Sequence, residues 1–177
     1  MTQTQDVARS RTFSWSDPTA HAHHLGRRSG LETLQAMIDG EIAAPPVIHL
    51  IGMSRMEARQ GWVAVELVPQ EFHYNPLGTV HGGVVSTLLD TAAACAVHTT
   101  LPAGVGYTSV DLNVKFLRPV TIASGLLRCE ATILQQGRRT ALAEARLTDS
   151  RSRLVAHATS TCLTFPLSEL PTRPDPT

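Results

Sequence analysis

Polar and apolar positions alternate with a period of two through most of the second half of the chain. In Thr108 to Arg118, Val110, Leu112, Val114 and Phe116 share one face, and Ser109, Asp111, Asn113 and Lys115 share the other. Ser124 to Gln135 sets Leu127, Cys129, Ala131 and Ile133 against Arg128, Glu130 and Thr132. Arg139 to Asp149 sets Ala141, Ala143, Ala145 and Leu147 against Thr140, Glu144, Arg146 and Thr148, and Arg153 to Phe165 follows as a further run. Such alternation predicts half-buried β-strands. Gln136-Gly137-Arg138 and Asp149-Ser150-Arg151 supply the turns between them. Two more strand-like runs, Val47 to Ala58 and Trp62 to Val68, lie in the first half and are parted at Gly61.

Two segments break the period. Ser29 is placed to cap a short helix from Gly30 to Asp39, with Leu31, Leu34, Met37 and Ile38 on one face. Gly40 ends it, and Pro45-Pro46 resets the chain. From Gly82 to Val97 the only charged residue is Asp90. A segment apolar nearly all round predicts a helix buried in a core, here stopped by Leu101-Pro102 and Gly104. Two strands, one long helix and three or four antiparallel strands make an α+β fold. The expected form is one curved antiparallel sheet of five to six strands around the central helix, and the pattern alone leaves other α+β folds open. Residues 1–28 are expected to be a flexible polar arm, 29–166 the folded domain, and 167–177 a disordered tail.

The 177 residues suffice for one domain with a real core. Fifteen basic and fifteen acidic side chains cancel, which argues against a nucleic-acid partner. No uninterrupted apolar run is long enough to span a membrane. The N-terminus lacks the apolar core of a secretory signal. Cys95, Cys129 and Cys162, without CxxC spacing, read as reduced thiols in the cytoplasm. His21, His23 and His24 read as a solvated loop rather than a metal site, and no metal or cofactor is expected. The G-x-S-x-G, Walker and dinucleotide patterns are missing from the sequence.

Chemistry concentrates in Asn75 to Asp90, NPLGTVHGGVVSTLLD. A lone carboxylate in an apolar helix is costly unless something pairs with it, and no Lys or Arg lies near Asp90 in sequence. Its helical neighbours Ser86 and Thr87 are the local candidates to satisfy it. A helix start offers unpaired N–H donors, and Gly82 and Gly83 let another group approach them closely. That is the chemistry of an oxyanion hole. The bland alternative is a tight loop-to-helix entry.

The motif N-x(5)-HGG-x(6)-D, followed by SVDLNVKFLRPV at residues 109–120, resembles the hotdog-fold acyl-CoA thioesterases, particularly the phenylacetate-pathway (PaaI-like) branch. The resemblance runs from about Gly30 to Phe165 and selects the hotdog among α+β folds. It implies that Gly82 supplies the oxyanion N–H and that Asp90 is general base or nucleophile. Asn75 would orient the water or thioester, and His81 would polarise the carbonyl or cap the helix. Ser109 would orient the nucleophilic water, with Thr108 as a competing candidate at the substrate. Gly83 is a further expected substrate contact. Arg118, Arg138 and Arg139, at strand ends or a turn, are candidates for the phosphates of an acyl-CoA substrate.

Spacing adds a constraint on assembly. Gly82 and Asp90 lie eight positions apart, about 12 Å along a helix. One thioester carbon cannot sit within roughly 3 Å of both groups. Two antiparallel copies of the helix about a two-fold axis would bring Gly82 of one to Asp90 of the other. Either Asp90 does not act on that carbonyl, or the two groups come from different chains; a homodimer, which the resemblance also implies, is the expected minimal unit, with assembly into a homotetramer expected. Two other functions stay open: a non-catalytic acyl-CoA-binding module, and a hotdog enoyl-CoA hydratase. For the hydratase an Asp followed about five residues later by His is expected, and position 95 is Cys.

Overall fold

One long helix lies in the curl of one sheet, and small side chains let the two approach closely. The structure, a computed structural model, describes residues 8–18 and 26–169. Helix α1, Gly30–Ile38, starts at Ser29, whose hydroxyl accepts from the Glu32 N–H while Glu32 accepts from the Ser29 N–H. Asp39 is its C-cap. Helix α2, Pro46–Ile51, stands where a strand was expected. Proline fits the first turn of a helix, and Gly52 at φ 81° ends it with an N–H bond to the Ile48 carbonyl. The first strand, β1, is thus only Met53–Arg59.

The remaining elements are β2 Trp62–Leu67, α3 Gly82–His98, β3 Val105–Ser109, β4 Asn113–Phe116, β5 Leu127–Gln136, β6 Thr140–Thr148 and β7 Leu154–Pro166. All pairings are antiparallel, in the order β1-β2-β5-β6-β7-β3, with β4 also on β7. β3 and β4 lie along the same edge of β7, so the sheet has six positions across, within the expected five to six.

The expected strand Thr108 to Arg118 is broken, and the break matters. Ser109 pairs with Cys162 and Asn113 with Thr159, so three residues, 110–112, oppose two, 160–161. This one-residue bulge is tied down by Asp111, whose carboxylate accepts from the Thr161 N–H (2.9 Å) and whose carbonyl accepts from the Ser160 hydroxyl (2.8 Å). A single extra residue reverses the inside–outside parity of a strand. Val110, expected inside, is 59% exposed. Ser109, expected outside, faces α3 with Tyr107.

The core is the inner face of the sheet against α3. Val85, Leu88, Leu89, Ala92, Ala93, Ala96 and Val97 are buried on the helix. Opposite them lie Val63, Val65 and Leu67 of β2, Ala141, Ala143, Ala145 and Leu147 of β6, and Ala156, Ala158 and Cys162 of β7. Alanine on both surfaces brings backbones close, and such a contact tolerates added volume poorly. At the far end of α3, a Cβ on Gly30 would lie 1.7 Å from the His98 carbonyl oxygen, so only glycine fits there.

The expected terminal segments are partly described. Arg9 pairs with Glu71 at 2.7 Å. Arg11 donates to the carbonyls of His49 and Leu50 and lies 4.2 Å from the Phe72 ring centroid. Residues 167–169 form a 3-10 turn, where the Leu167 N–H donates to the Gly104 carbonyl. His21, His23, His24 and residues 170–177 lie outside the described residues.

His98 is 5% exposed, and burial lowers its pKa from 6.5 to about 4. The folded protein therefore holds this imidazole neutral where the unfolded chain would protonate it. Stability from this group is complete above the unfolded value and is lost as pH falls from 6.5 towards 4. At pH 5 the loss is about 2 kcal/mol. Urea unfolding of wild type and His98→Leu at pH 7 and pH 5 measures it. The wild type is expected to lose more stability between the two pH values than the variant does.

Candidate active site

The start of α3 allots its donors unequally. His81 is the N-cap, and its Nδ1 accepts from the Gly83 N–H at 2.9 Å. The bond uses the lone pair of Nδ1. The N–H groups of Val84 and Val85 both reach the His81 carbonyl, at 3.0 and 3.3 Å. Of the first four N–H groups, only that of Gly82 has no protein acceptor among the described residues. The Gly83 N–H, expected to be open to substrate, is occupied by the cap. His81 is itself held, its N–H donating to the His73 carbonyl at 2.8 Å.

A cavity of about 360 Å³ opens beside Gly82. Its walls include Val80, Val85, Val120 and Val155, with the Arg118 side at the rim and Asn75 at the loop. Asn75 braces that loop. Its Oδ1 accepts from the N–H groups of Leu77 (2.9 Å) and Thr79 (3.2 Å), and its Nδ2 donates to the Thr79 hydroxyl (3.0 Å). The amide keeps one N–H beyond these bonds. Asn-Pro thus builds an Asx turn and also leaves the amide on the cavity wall.

Asp90 lies two turns further along α3, half-buried on the stripe of Gly83, Ser86, Thr87 and Thr91 that the sheet leaves uncovered. This differs from the fully buried setting that the apolar sequence predicted. Its Oδ1 accepts from the Ser109 hydroxyl at 2.8 Å. The expected local partner Thr87 instead donates to the Gly83 carbonyl, at 2.8 Å. No Lys or Arg pairs with Asp90 among the described residues, where its side-chain partner is the Ser109 hydroxyl. Thr108 is exposed on the opposite face of β3, away from this pair. Cys95, just over one turn on, is partly buried, and burial pushes its thiol up to about 12, which disfavours the thiolate.

The three arginines do not converge within one chain. Arg118 donates to the Leu154 carbonyl, at the start of β7. Arg138 and Arg139 sit exposed on the β5–β6 hairpin, where the Arg139 carbonyl accepts from Thr164 near the end of β7. Val155 to Thr164 spans about 30 Å of strand. Arg118 therefore accompanies Gly82, and Arg138 and Arg139 accompany Ser109 and Asp90. Two residues at the site were not singled out from the sequence. Phe116 stands against Gly82, and His73 holds His81; the bulge that aims Phe116 gives no signal in an alternating sequence.

The sequence pattern of the thioesterase superfamily matches residues 77–156. Human acyl-coenzyme A thioesterase 13 is 31% identical over 132 residues, which are 73% of this chain and 93% of that protein. A phenylacetic acid degradation-related protein of Ralstonia eutropha JMP134 superposes with a TM-score of 0.67 at 32% identity, over 73% of this chain and 97% of the other. The PaaI protein of the E. coli phenylacetic acid degradation operon has the same fold, with a TM-score of 0.67 at 20% identity, over 77% of this chain and 94% of the other.

The cap is open to test by itself. His81→Ala removes the acceptor of the Gly83 N–H and is expected to lower unfolding stability by about 1 kcal/mol, as for other N-caps. His81→Asn, whose carbonyl can cap, should recover most of it in urea unfolding. Equal stability of wild type and the Ala variant would show that the bond contributes nothing.

Proposed function

This chain belongs to the thioesterase superfamily, and we propose that it hydrolyses an acyl-coenzyme A thioester to free acid and coenzyme A. The acyl group in this reading is aromatic or medium-chain. One observation carries it: Gly82, whose N–H alone is left open at the α3 start among the described residues, lines a cavity with both polar and apolar walls, while a carboxylate without a cationic partner stands on the same helix, steadied by Ser109.

The Gly82 N–H, at the positive end of α3, receives the thioester oxygen as it gains charge. Asp90 removes a proton from water, and the water oxygen bonds to the carbonyl carbon. The tetrahedral oxyanion then collapses, the C–S bond breaks, and the coenzyme A thiolate takes the proton back from Asp90. Direct attack by Asp90 would use the same geometry through an anhydride that water then cleaves. Ser109 holds Oδ1 and leaves Oδ2 to act. The remaining amide N–H of Asn75 is placed to orient water or thioester.

The separation of Gly82 from Asp90 calls for two chains. A homodimer with antiparallel α3 helices completes two equivalent sites, and pairing of dimers would give the homotetramer. Each composite site would then have Arg118 from one chain and Arg138 and Arg139 from the other, a two-sided grip on the coenzyme A phosphates. No helix among the described residues is long and apolar enough to cross a membrane. The three free thiols suit a reducing compartment, and the cytoplasm is the location we favour.

Asp90→Asn keeps the size of the side chain and removes the base. Its kcat on a cleaved acyl-CoA is expected to fall at least ~100-fold with unfolding stability retained. Near-normal turnover would remove Asp90 from the mechanism. Tight acyl-CoA binding with no turnover by the wild type would instead mark a binding module.

Complementation tests the assembly. Asp90→Asn and Gly82→Pro chains, each inactive alone, are mixed after unfolding and refolded together. Activity should return, because one site in each heterodimer has both groups. Heterodimers that form and stay inactive would mean that donor and base are not shared between chains. Proline removes the N–H donor and suits the backbone of a first helical position, but its ring would press on Phe116, 3.1 Å from a Cβ there, so the Gly82→Pro chain is first shown to fold and dimerise.

A further inference from the structure

Phe116 occupies the space that a side chain at position 82 would fill. A Cβ built on Gly82 would lie 3.1 Å from the tip of the Phe116 ring, with the two flanking ring carbons at 3.5 and 3.7 Å. The ring thus points end-on at the α carbon of the residue whose N–H is open. Phe116 is the last residue of β4, paired with the buried Ala156, and with Val114 it faces the helix side of the sheet. Yet it is 57% exposed, because α3 begins with two glycines and presents no side chain to cover it. The exposed ring and Gly82 both line the cavity.

An exposed aromatic ring beside the valine and proline walls of a cavity is a surface that lacks its cover. With the ring tip against Gly82, nothing can pass between them. Gly82 and Phe116 line the same cavity, so a group whose carbonyl oxygen reaches the Gly82 N–H has the ring as a neighbouring wall. We propose that Phe116 is a specificity-determining residue, the platform on which the apolar body of the acyl group lies. This rests on the thioesterase reading above. The platform favours acyl groups with several carbons beyond the carbonyl, straight or aromatic, over acetyl, which is too short to cover it. The bulge at 110–112 makes the arrangement possible, since it lets both Ser109 and Phe116 face inwards.

The test compares the ratio of kcat/KM on hexanoyl-CoA to that on acetyl-CoA in wild type, Phe116→Ala and Phe116→Leu. The ratio should fall about 10-fold or more in the Ala variant, as expected when several methylenes lose an apolar contact, and by much less in the Leu variant. A ratio within about two-fold of wild type in the Ala variant overturns the proposal. If the Ala variant does not fold, Phe116→Gln, similar in length but polar, is expected to give the same fall. The non-hydrolysable thioethers S-hexyl-CoA and S-ethyl-CoA provide a second measurement by calorimetry. Should the wild type cleave neither thioester, nor the aromatic phenylacetyl-CoA, the catalytic reading fails, and the thioether affinities still decide the platform: a preference for S-hexyl-CoA that Phe116→Ala abolishes supports it. Equal affinity of the wild type for both thioethers overturns it. So does an Ala variant that elutes as a smaller species than wild type in size exclusion, because the ring would then be an interface contact between chains.

Discussion

The close contact between α3 and the curled sheet fixes everything else in this structure. It exists because alanines meet alanines. Ala92, Ala93 and Ala96 on the helix face Ala141, Ala143 and Ala145 on β6 and Ala156 and Ala158 on β7. Larger side chains would push the helix out; smaller ones would leave voids that destabilise in proportion to their size. The rotation of α3 is fixed with it. Valine and leucine go under, and the stripe of Gly83, Ser86, Thr87, Asp90 and Thr91 comes up on the uncovered side. The position of Asp90 is thus a consequence of packing elsewhere on the helix.

Among the described residues the sheet hydrogen-bonds to that stripe through Ser109 and Asp90, and a bulge decides how. Without the extra residue among 110–112, a strand with Val114 and Phe116 inside would turn Ser109 outside. With it, one edge of the sheet delivers a hydroxyl to Asp90 and a ring to Gly82. The bulge needs Asp111, which satisfies Thr161 and Ser160 where the regular ladder is interrupted. A buried or half-buried backbone group left unpaired there would cost free energy comparable to a lost hydrogen bond.

Much of this was legible in the sequence. Strand positions could be read because each strand buries one face, and Cys129, Ala131, Ala143, Ala145 and Leu147 are all fully or almost fully buried as alternation required. The Ser29 cap and the HGG helix start could be read because their side chains and glycines act locally. What was hidden depends on partners distant in sequence. Val47, Ile48, Leu50 and Ile51 favour strand by composition, and the flanking Pro46 and Gly52 turn them into a helix. Ser109 as the partner of Asp90, over Thr87, follows from the bulge, and alternation passes through 110–112 without a mark. The distance between Arg118 and the hairpin arginines needed the pairing of β7, which runs between them.

The donors at the start of α3 can be followed to one consequence. A helix offers four N–H groups at its start. Here the carbonyl of His81 satisfies two and its imidazole one, so the cap leaves a single opening, at the residue with no side chain. An acceptor arriving there meets one donor and the positive end of a 17-residue helix, not a spread of competing sites. Asp90 stands on the same helix, and a straight helix cannot fold back on itself. A rigid rod with a donor at one end and a carboxylate about 12 Å along can serve one reacting carbon only if a second rod lies against it, head to tail. The same rigidity that keeps the two groups apart within a chain would hold them in register between chains, so precision at a shared site would come from the alanine packing beneath each helix.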